Sequence, residues 1–164
     1  MGRVTPFDRT AYGHWTTVPT RWNDNDQYGH INNAKFYEFV DSAVNAHLLI
    51  ANALTESIGL VVDSGCRYTS SLKFPDVIEV GIKVDHIGTS SVRYGFAVFR
   101  RGAATPAAIG HFVHVYVDAE GRTVREFAGA KLRTEPPEFG ESTAVRITDR
   151  ADVLAEGRRV IAAI

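Results

Sequence analysis

The chain has 164 residues, of which 45% are hydrophobic and 23% are charged. This length fits one domain, and the apolar content is too high for a disordered chain. The formal net charge is −1, which excludes the strongly basic surface typical of proteins that bind nucleic acids or anionic membranes. We therefore expect no nucleic-acid partner and no membrane partner.

Cysteine usage and the N-terminal sequence indicate the compartment. Cys66 is the only cysteine, so an internal disulfide is impossible and nothing argues for export. Residues 1–10 lack the basic start and apolar stretch of a signal peptide. No run approaches the roughly 18 apolar residues of a membrane span. We expect a cytoplasmic protein.

The first half of the chain contains one strongly apolar helix. A short β-prone stretch at residues 16–22 is followed by an acid-rich turn. The helix begins near Asn32 or Asn33, either of which could cap its free N–H groups. Its apolar residues continue to Leu54 and occupy more than one face, which predicts that the helix is enclosed by the rest of the fold.

After the helix the apolar residues alternate with a period of two, which indicates strands at residues 66–74, 80–86, 92–98 and 108–117. A hairpin-like turn at residues 118–121 leads into a further strand at residues 122–127. The pattern predicts an α+β fold in which a curved antiparallel sheet wraps around one central hydrophobic helix.

The end of the chain is predicted to form one more helix. Apolar residues recur at helical spacing after Thr148, which could cap a C-terminal amphipathic helix. We expect a single domain over residues 1–164, with its core at about residues 16–130 and a C-terminal extension at residues 136–164.

The acid-rich turn, Asp24-x-Asp26-x-x-Gly29-His30, could in principle bind a metal ion. A calcium loop is rejected, because Lys35 would stand at the twelfth position, where a bidentate Glu is required. A transition-metal site built from Asp24, Asp26 and His30 is not favoured, since nothing fixes its geometry and no second ligand cluster supports it. We therefore predict no metal.

Hydrolysis of a thioester is a third interpretation of this turn. A thiol leaving group has a pKa of about 8.5 and departs as thiolate, so one aspartate, with a reference pKa of about 3.9, can suffice. The free N–H groups at a helix start can hold the developing oxyanion. The sequence has no G-x-S-x-G elbow, and Cys66 has no recognisable partner motif. A plain structural turn, capped by its Asp and Asn side chains, remains the alternative.

The segment from Trp22 to Phe36 resembles the signature of the 4-hydroxybenzoyl-CoA thioesterase-like branch of the hotdog-fold superfamily. That signature reads D-x-D-x-x-G-H-V-N-N and precedes an aromatic-rich helix. In this chain it is carried by Asp24, Asp26, Gly29, His30, Ile31, Asn32 and Asn33. The likeness extends over about residues 16–127, and it implies a hotdog fold and hydrolysis of acyl-CoA thioesters without a metal or cofactor, coenzyme A being part of the substrate.

The resemblance also implies a role for each motif residue. The catalytic Asp of the family falls on Asp26, as nucleophile or as general base on water. The backbone N–H that polarises the thioester carbonyl falls near Asn33, and Gly29 would let the turn approach the substrate. The supporting positions would be Asp24, His30 and Asn32.

The resemblance says less about the oligomeric state and the substrate range than about the site residues. Family members are dimers, often paired into tetramers, so a homodimer or homotetramer is expected. The 4-hydroxybenzoyl-CoA enzyme lacks the His-x-Asn-Asn part of the motif, so its aromatic specificity does not carry over. The alternative is a hotdog module that binds acyl-CoA or an acyl carrier without hydrolysing it. Another hotdog branch places its carboxylate in the helix, but we interpret Glu38 and Asp41 as exposed charges.

Overall fold

The computed structural model describes residues 7–50 and 57–124. Within them the main helix is α1 (Asn33–Ile50), and the strands are β1 (His14–Pro19), β2 (Ile58–Tyr68), β3 (Val77–Ile87), β4 (Ser91–Arg100) and β5 (Ala108–Val117). The described strands form one sheet in the order β1-β3-β4-β5-β2. β1 and β3 are antiparallel, with His14 opposite Ile82 and Pro19 opposite Val77.

Two compact units make up the described chain. The first contains the chain up to His47 together with Cys66–Lys83 and Gly95–Gly110. The second contains Leu48–Gly65, Val84–Tyr94 and the chain from His111 onward. Each unit has buried apolar side chains, which are Phe36, Val40, Ile78, Val80 and Phe96 among others in the first, and Val92, Tyr94, Val113 and Val115 in the second.

Helix α1 begins where the sequence predicts. The side-chain Oδ1 of Asn32 accepts a hydrogen bond from the Ala34 N–H at 3.0 Å, which satisfies one of the free donors of the first turn. The buried side chains follow the spacing of one helix face and include Phe36, Val40 and Val44.

Within the described chain, α1 buries one face and not its whole circumference. The opposite face carries the exposed residues Glu38, Asp41 and Ser42, and the apolar Leu49 and Ile50 are 65% and 79% exposed. The expected enclosure of the helix is therefore incomplete, because its outer face is polar over the first turns. The predicted continuation to Leu54 lies outside the described residues.

The predicted strand at residues 66–74 is wrong in its bounds. β2 runs from Ile58 to Tyr68, and the chain then leaves the sheet. The backbone after Tyr68 pairs with the acid-rich turn, since the Ile31 N–H donates to the Leu72 carbonyl at 2.7 Å and the Phe74 N–H donates to Asn25 Oδ1 at 3.0 Å. These long-range bonds replace the ladder that the alternation predicted.

The other strand predictions differ from the structure only at their ends. β5 spans residues 108–117 as predicted, and β3 and β4 extend the predicted segments by a few residues. The predicted turn after β5 is present, with Gly121 at φ +78° and the Asp118 N–H donating to the Arg122 carbonyl at 2.9 Å. In the predicted strand at residues 122–127, the described residues 122–124 form only one isolated bridge, between Thr123 and Val117, and not a strand. Residues 125–127 and the predicted C-terminal helix lie outside the described residues. No helix in the described ranges is long and apolar enough to cross a membrane.

Candidate active site

The acid-rich turn closes on itself through backbone hydrogen bonds. The Asp26 N–H donates to the His30 carbonyl at 2.8 Å, and the Gly29 N–H donates to the Asp26 carbonyl at 3.1 Å. Gly29 has φ +80°, a conformation that an L side chain rarely adopts. The glycine of the motif therefore serves the turn itself, which brings the chain back toward the start of α1.

Asp24 is the buried acid of the pair, with none of its surface exposed. Its Oδ2 accepts the Arg21 backbone N–H at 2.7 Å, and its Oδ1 lies 3.4 Å from the Arg21 guanidinium and 3.9 Å from Lys35 Nζ. The Asp24 carbonyl accepts the Asn32 N–H at 2.9 Å. Asp24 thus joins the turn to the residue that caps α1.

Asp26 is half-buried and is held differently. Its Oδ1 accepts two backbone N–H groups, from Tyr28 at 2.8 Å and from His30 at 3.3 Å. Its Oδ2 has no hydrogen-bond partner among the described residues. One carboxylate oxygen is therefore anchored, and the other is available to a water molecule or a substrate.

A cavity of about 430 Å³ lies beside Asp26 within the first unit. Asn33, the first residue of α1, lines the same cavity, and its backbone N–H has no hydrogen-bond partner in the described ranges. Such an N–H at the positive end of an 18-residue helix favours a negatively charged oxygen. The remaining lining residues are Ile31, Phe36, Tyr68, Thr69, Ser70 and Ser71. The cavity is thus lined by Asp26 and Asn33, each of which has one polar atom without a partner among the described residues, and by a wall of mixed apolar and hydroxyl-bearing side chains.

The other motif residues stand around this cavity without lining it. His30 and Asn32 are exposed, and their hydrogen bonds hold the turn and the helix start. Of the six residues that the sequence singled out, Asp26 and Asn33 are the two that line the cavity. The structure assigns the others contacts within the turn or at the cap of α1.

Sequence reasoning missed the wall formed by residues 68–71. The Tyr68 hydroxyl donates to the Asn33 carbonyl at 3.2 Å, and its ring packs edge-on against Phe36 with 5.1 Å between centroids. Burial of the phenol and the nearby Cys66 thiol raise the pKa of Tyr68 to about 12. Tyr68 looked like one apolar position of a strand, and no local signal connected it with a residue 35 positions earlier.

Other titratable groups in the described chain lie away from the cavity lining. Glu38 is an exposed charge, as interpreted from the sequence, and it forms ion pairs with Arg21 at 2.7 Å and with Lys35 at 2.8 Å. His47 and His114 are buried, and burial lowers the pKa of each to about 4. Within residues 7–50 and 57–124, no group of three or more His, Cys, Asp or Glu side chains could hold a metal ion.

Comparison with known proteins gives a family and a fold. A family model described as the thioesterase-like superfamily matches residues 20–147. The structure of the PA5185 protein from Pseudomonas aeruginosa strain PAO1 has 43% sequence identity, covers 76% of this chain and 90% of its own, and superposes with a TM-score of 0.72.

Two more distant structures share the fold. A 1,4-dihydroxy-2-naphthoyl-CoA thioesterase from Synechocystis is 12% identical, with a TM-score of 0.65 over 72% of this chain and 92% of its own. A DHNA-CoA thioesterase from Staphylococcus aureus is 16% identical, with a TM-score of 0.66 over 73% and 90%. No curated protein matches this sequence significantly.

Proposed function

This chain belongs to the thioesterase-like superfamily, and from that membership we propose that it hydrolyses acyl-CoA thioesters to a free acid and coenzyme A. The proposal rests on one observation about the cavity. Asp26 and Asn33 line the same cavity, and among the described residues one carboxylate oxygen of Asp26 and the backbone N–H of Asn33 have no partner. A carboxylate and a helix N–H together are what attack on a thioester carbonyl requires.

The proposed chemistry uses these two groups on opposite sides of one carbon. If Asp26 is a general base, it takes a proton from water while the water oxygen bonds to the acyl carbon. If Asp26 is the nucleophile, its oxygen forms an anhydride, which water then hydrolyses. In both routes the Asn33 N–H holds the negative oxygen, the C–S bond breaks, and coenzyme A leaves as thiolate.

The supporting residues act through the turn. The Tyr28 and His30 N–H groups orient the Asp26 carboxylate by binding its Oδ1. The Asn32 N–H donates to the Asp24 carbonyl, a contact by which these residues can hold the turn against the start of α1. In this proposal they are positioning residues, and Gly29 permits the turn.

The variant Asp26→Asn tests the proposal, because it keeps the size of the side chain and removes its basicity. We expect kcat to fall by about 10²-fold or more, in line with the usual contribution of a general base. The matched control is Asp41→Asn, the same change at an exposed residue of α1 outside the cavity, and it should retain wild-type turnover. Thiol release from short, long and aromatic acyl-CoAs is the assay.

Two outcomes contradict the proposal. The first is near wild-type hydrolysis by Asp26→Asn with the best acyl-CoA of the panel. The second is saturable binding of acyl-CoA by the wild-type protein without release of free coenzyme A, which would favour a binding module. The same panel identifies the preferred acyl group.

We further propose that the reaction needs no metal or cofactor, because the carboxylate and the helix N–H supply both the base and the oxyanion donor. Turnover should therefore be unchanged after dialysis against a chelator. A homodimer or homotetramer is also proposed. β2 lies at the edge of the described sheet and most of its residues are exposed, so it can pair with a second chain.

A further inference from the structure

Tyr68 is a residue of the cavity wall to which the motif assigns no role. It is the last residue of β2, it lines the cavity, and its side chain is 43% exposed. Its hydroxyl donates to the backbone carbonyl of Asn33 at 3.2 Å. A phenol that lines the cavity is therefore bound to the main chain of Asn33, which lines the same cavity.

The start of α1 is the part of the helix with the fewest internal restraints. The first N–H groups of a helix lack intrahelical partners, so the first turn is held mainly through its carbonyls and its cap. Here the Asn32 side chain binds the Ala34 N–H, and the Asn32 carbonyl accepts the Lys35 N–H at 2.9 Å. The hydroxyl of Tyr68 is the additional contact on Asn33 itself.

The phenol is well placed to keep this contact. Its ring is fixed edge-on against Phe36, with an interplanar angle of 86°. The raised pKa of Tyr68, about 12, keeps its hydroxyl protonated and able to donate throughout the neutral range. The ring is therefore oriented, and its hydroxyl lies close to the Cys66 thiol as well as to the Asn33 carbonyl.

We propose that Tyr68 is a positioning residue of the thioesterase reaction, which holds the Asn33 main chain so that its N–H points at the oxygen of the thioester carbonyl. This inference rests on the proposed function. It assigns the hydroxyl to the main chain of α1, whereas contact with the substrate would be a different role. A small displacement of an oxyanion donor weakens the interaction in the transition state more than in the ground state.

Steady-state kinetics of Tyr68→Phe separate these roles, because the variant keeps the ring against Phe36 and removes only the hydroxyl. We expect kcat to fall about fivefold, the effect of one neutral hydrogen bond, with KM within twofold of wild type. The matched control is Tyr12→Phe, at a buried phenol in the cluster with Ala97 and Phe99, and it should leave both constants unchanged. A raised KM with unchanged kcat would mean that Tyr68 binds substrate directly and would overturn the assignment, as would an unchanged kcat.

Infrared spectroscopy of a bound thioester measures the polarisation of its carbonyl directly. That polarisation should not change if Tyr68 only stabilises the fold. In Asp26→Asn, which should bind substrate and turn it over only slowly, the isotope-labelled thioester carbonyl should stretch at a lower frequency than in solution before hydrolysis, because the Asn33 N–H polarises it. In the double variant with Tyr68→Phe the band should move back toward the solution frequency or broaden. An identical band in both variants contradicts the role of Tyr68.

The two proposals fail in different ways. Absence of thiol release by the wild-type protein, or full activity of Asp26→Asn, defeats the proposed function. A wild-type enzyme that depends on Asp26, combined with unchanged kinetics and an unchanged carbonyl band for Tyr68→Phe, defeats only the inference about Tyr68.

Discussion

The variant Asp24→Asn separates the two acids of the motif by their energetics. Asp24 is completely buried, and its carboxylate accepts the Arg21 N–H at 2.7 Å. A hydrogen bond to a charged group contributes about 1.5–3 kcal/mol, and breaking a buried ion pair costs roughly 3–5 kcal/mol. The Asn side chain can still accept the Arg21 N–H, and the side chains of Arg21 and Lys35 are 63% and 30% exposed, so water screens their loss of a partner. We therefore expect the free energy of unfolding to fall by about 2 kcal/mol, within the range for a hydrogen bond to a charged group and below the range for a broken buried ion pair.

Thermal unfolding and turnover measure the two consequences separately. For a chain of this size, 1 kcal/mol corresponds to roughly 2–4 °C, so the Tm of Asp24→Asn should fall by about 4–8 °C. At a temperature well below its Tm the folded variant should retain kcat within about tenfold, because Asp26 keeps its own backbone donors. An unchanged Tm combined with a loss of kcat as large as that of Asp26→Asn would show that Asp24 acts on the substrate, and would refute the division of roles.

Two further predictions concern the stability of the first unit. Burial, with a smaller contribution from His14, lowers the pKa of His47 to about 4 from 6.5, so the unfolded chain takes up this proton first as the pH falls. The stability due to the neutral ring is full above pH 6.5 and is lost toward pH 4. The free energy of unfolding, measured by urea titration at several pH values between 6.5 and 4, should fall less steeply with decreasing pH for His47→Leu than for wild type. The difference in slope should be about 1.4 kcal/mol per pH unit. Equal slopes would show that His47 is not buried in its neutral form. Val40 is fully buried in α1. Val40→Ala should lower the free energy of unfolding by about 2 kcal/mol, measured from the urea midpoint, and a loss below a few tenths would mean that the side chain is not in a packed core.

The sequence predicted most of the architecture because burial leaves a periodic trace in a single segment. Alternation of apolar residues located β5 at its bounds and β3 and β4 to within a few residues. An asparagine cap ahead of an apolar run located the start of α1. The α+β hotdog fold and the family resemblance are confirmed by the structural and family matches. The same periodicity failed at residues 69–74, where Thr69 and Ser70 bond to the Ala107 carbonyl, and Leu72 and Phe74 bond to the acid-rich segment.

The roles of the individual acids depend on partners that the local sequence does not reveal. Asp24 and Asp26 are two aspartates of the same turn, and their sequence does not distinguish their roles. Only the resemblance to the family motif indicated that Asp26 is the catalytic one. In the structure, the carboxylate of Asp24 accepts the backbone N–H of Arg21, whereas one carboxylate oxygen of Asp26 has no partner among the described residues. That distinction depends on the path of the turn, which brings one side chain into the interior and leaves the other beside the cavity.

Local chemistry in the sequence therefore determined which segments are strands or helix and which turn carries reactive groups. Only the folded chain decided which groups meet, because a hydrogen bond depends on distance in space and not on separation along the chain. Tyr68 and Asn33 are 35 residues apart and bonded at 3.2 Å, a pairing that no periodicity in either segment encodes.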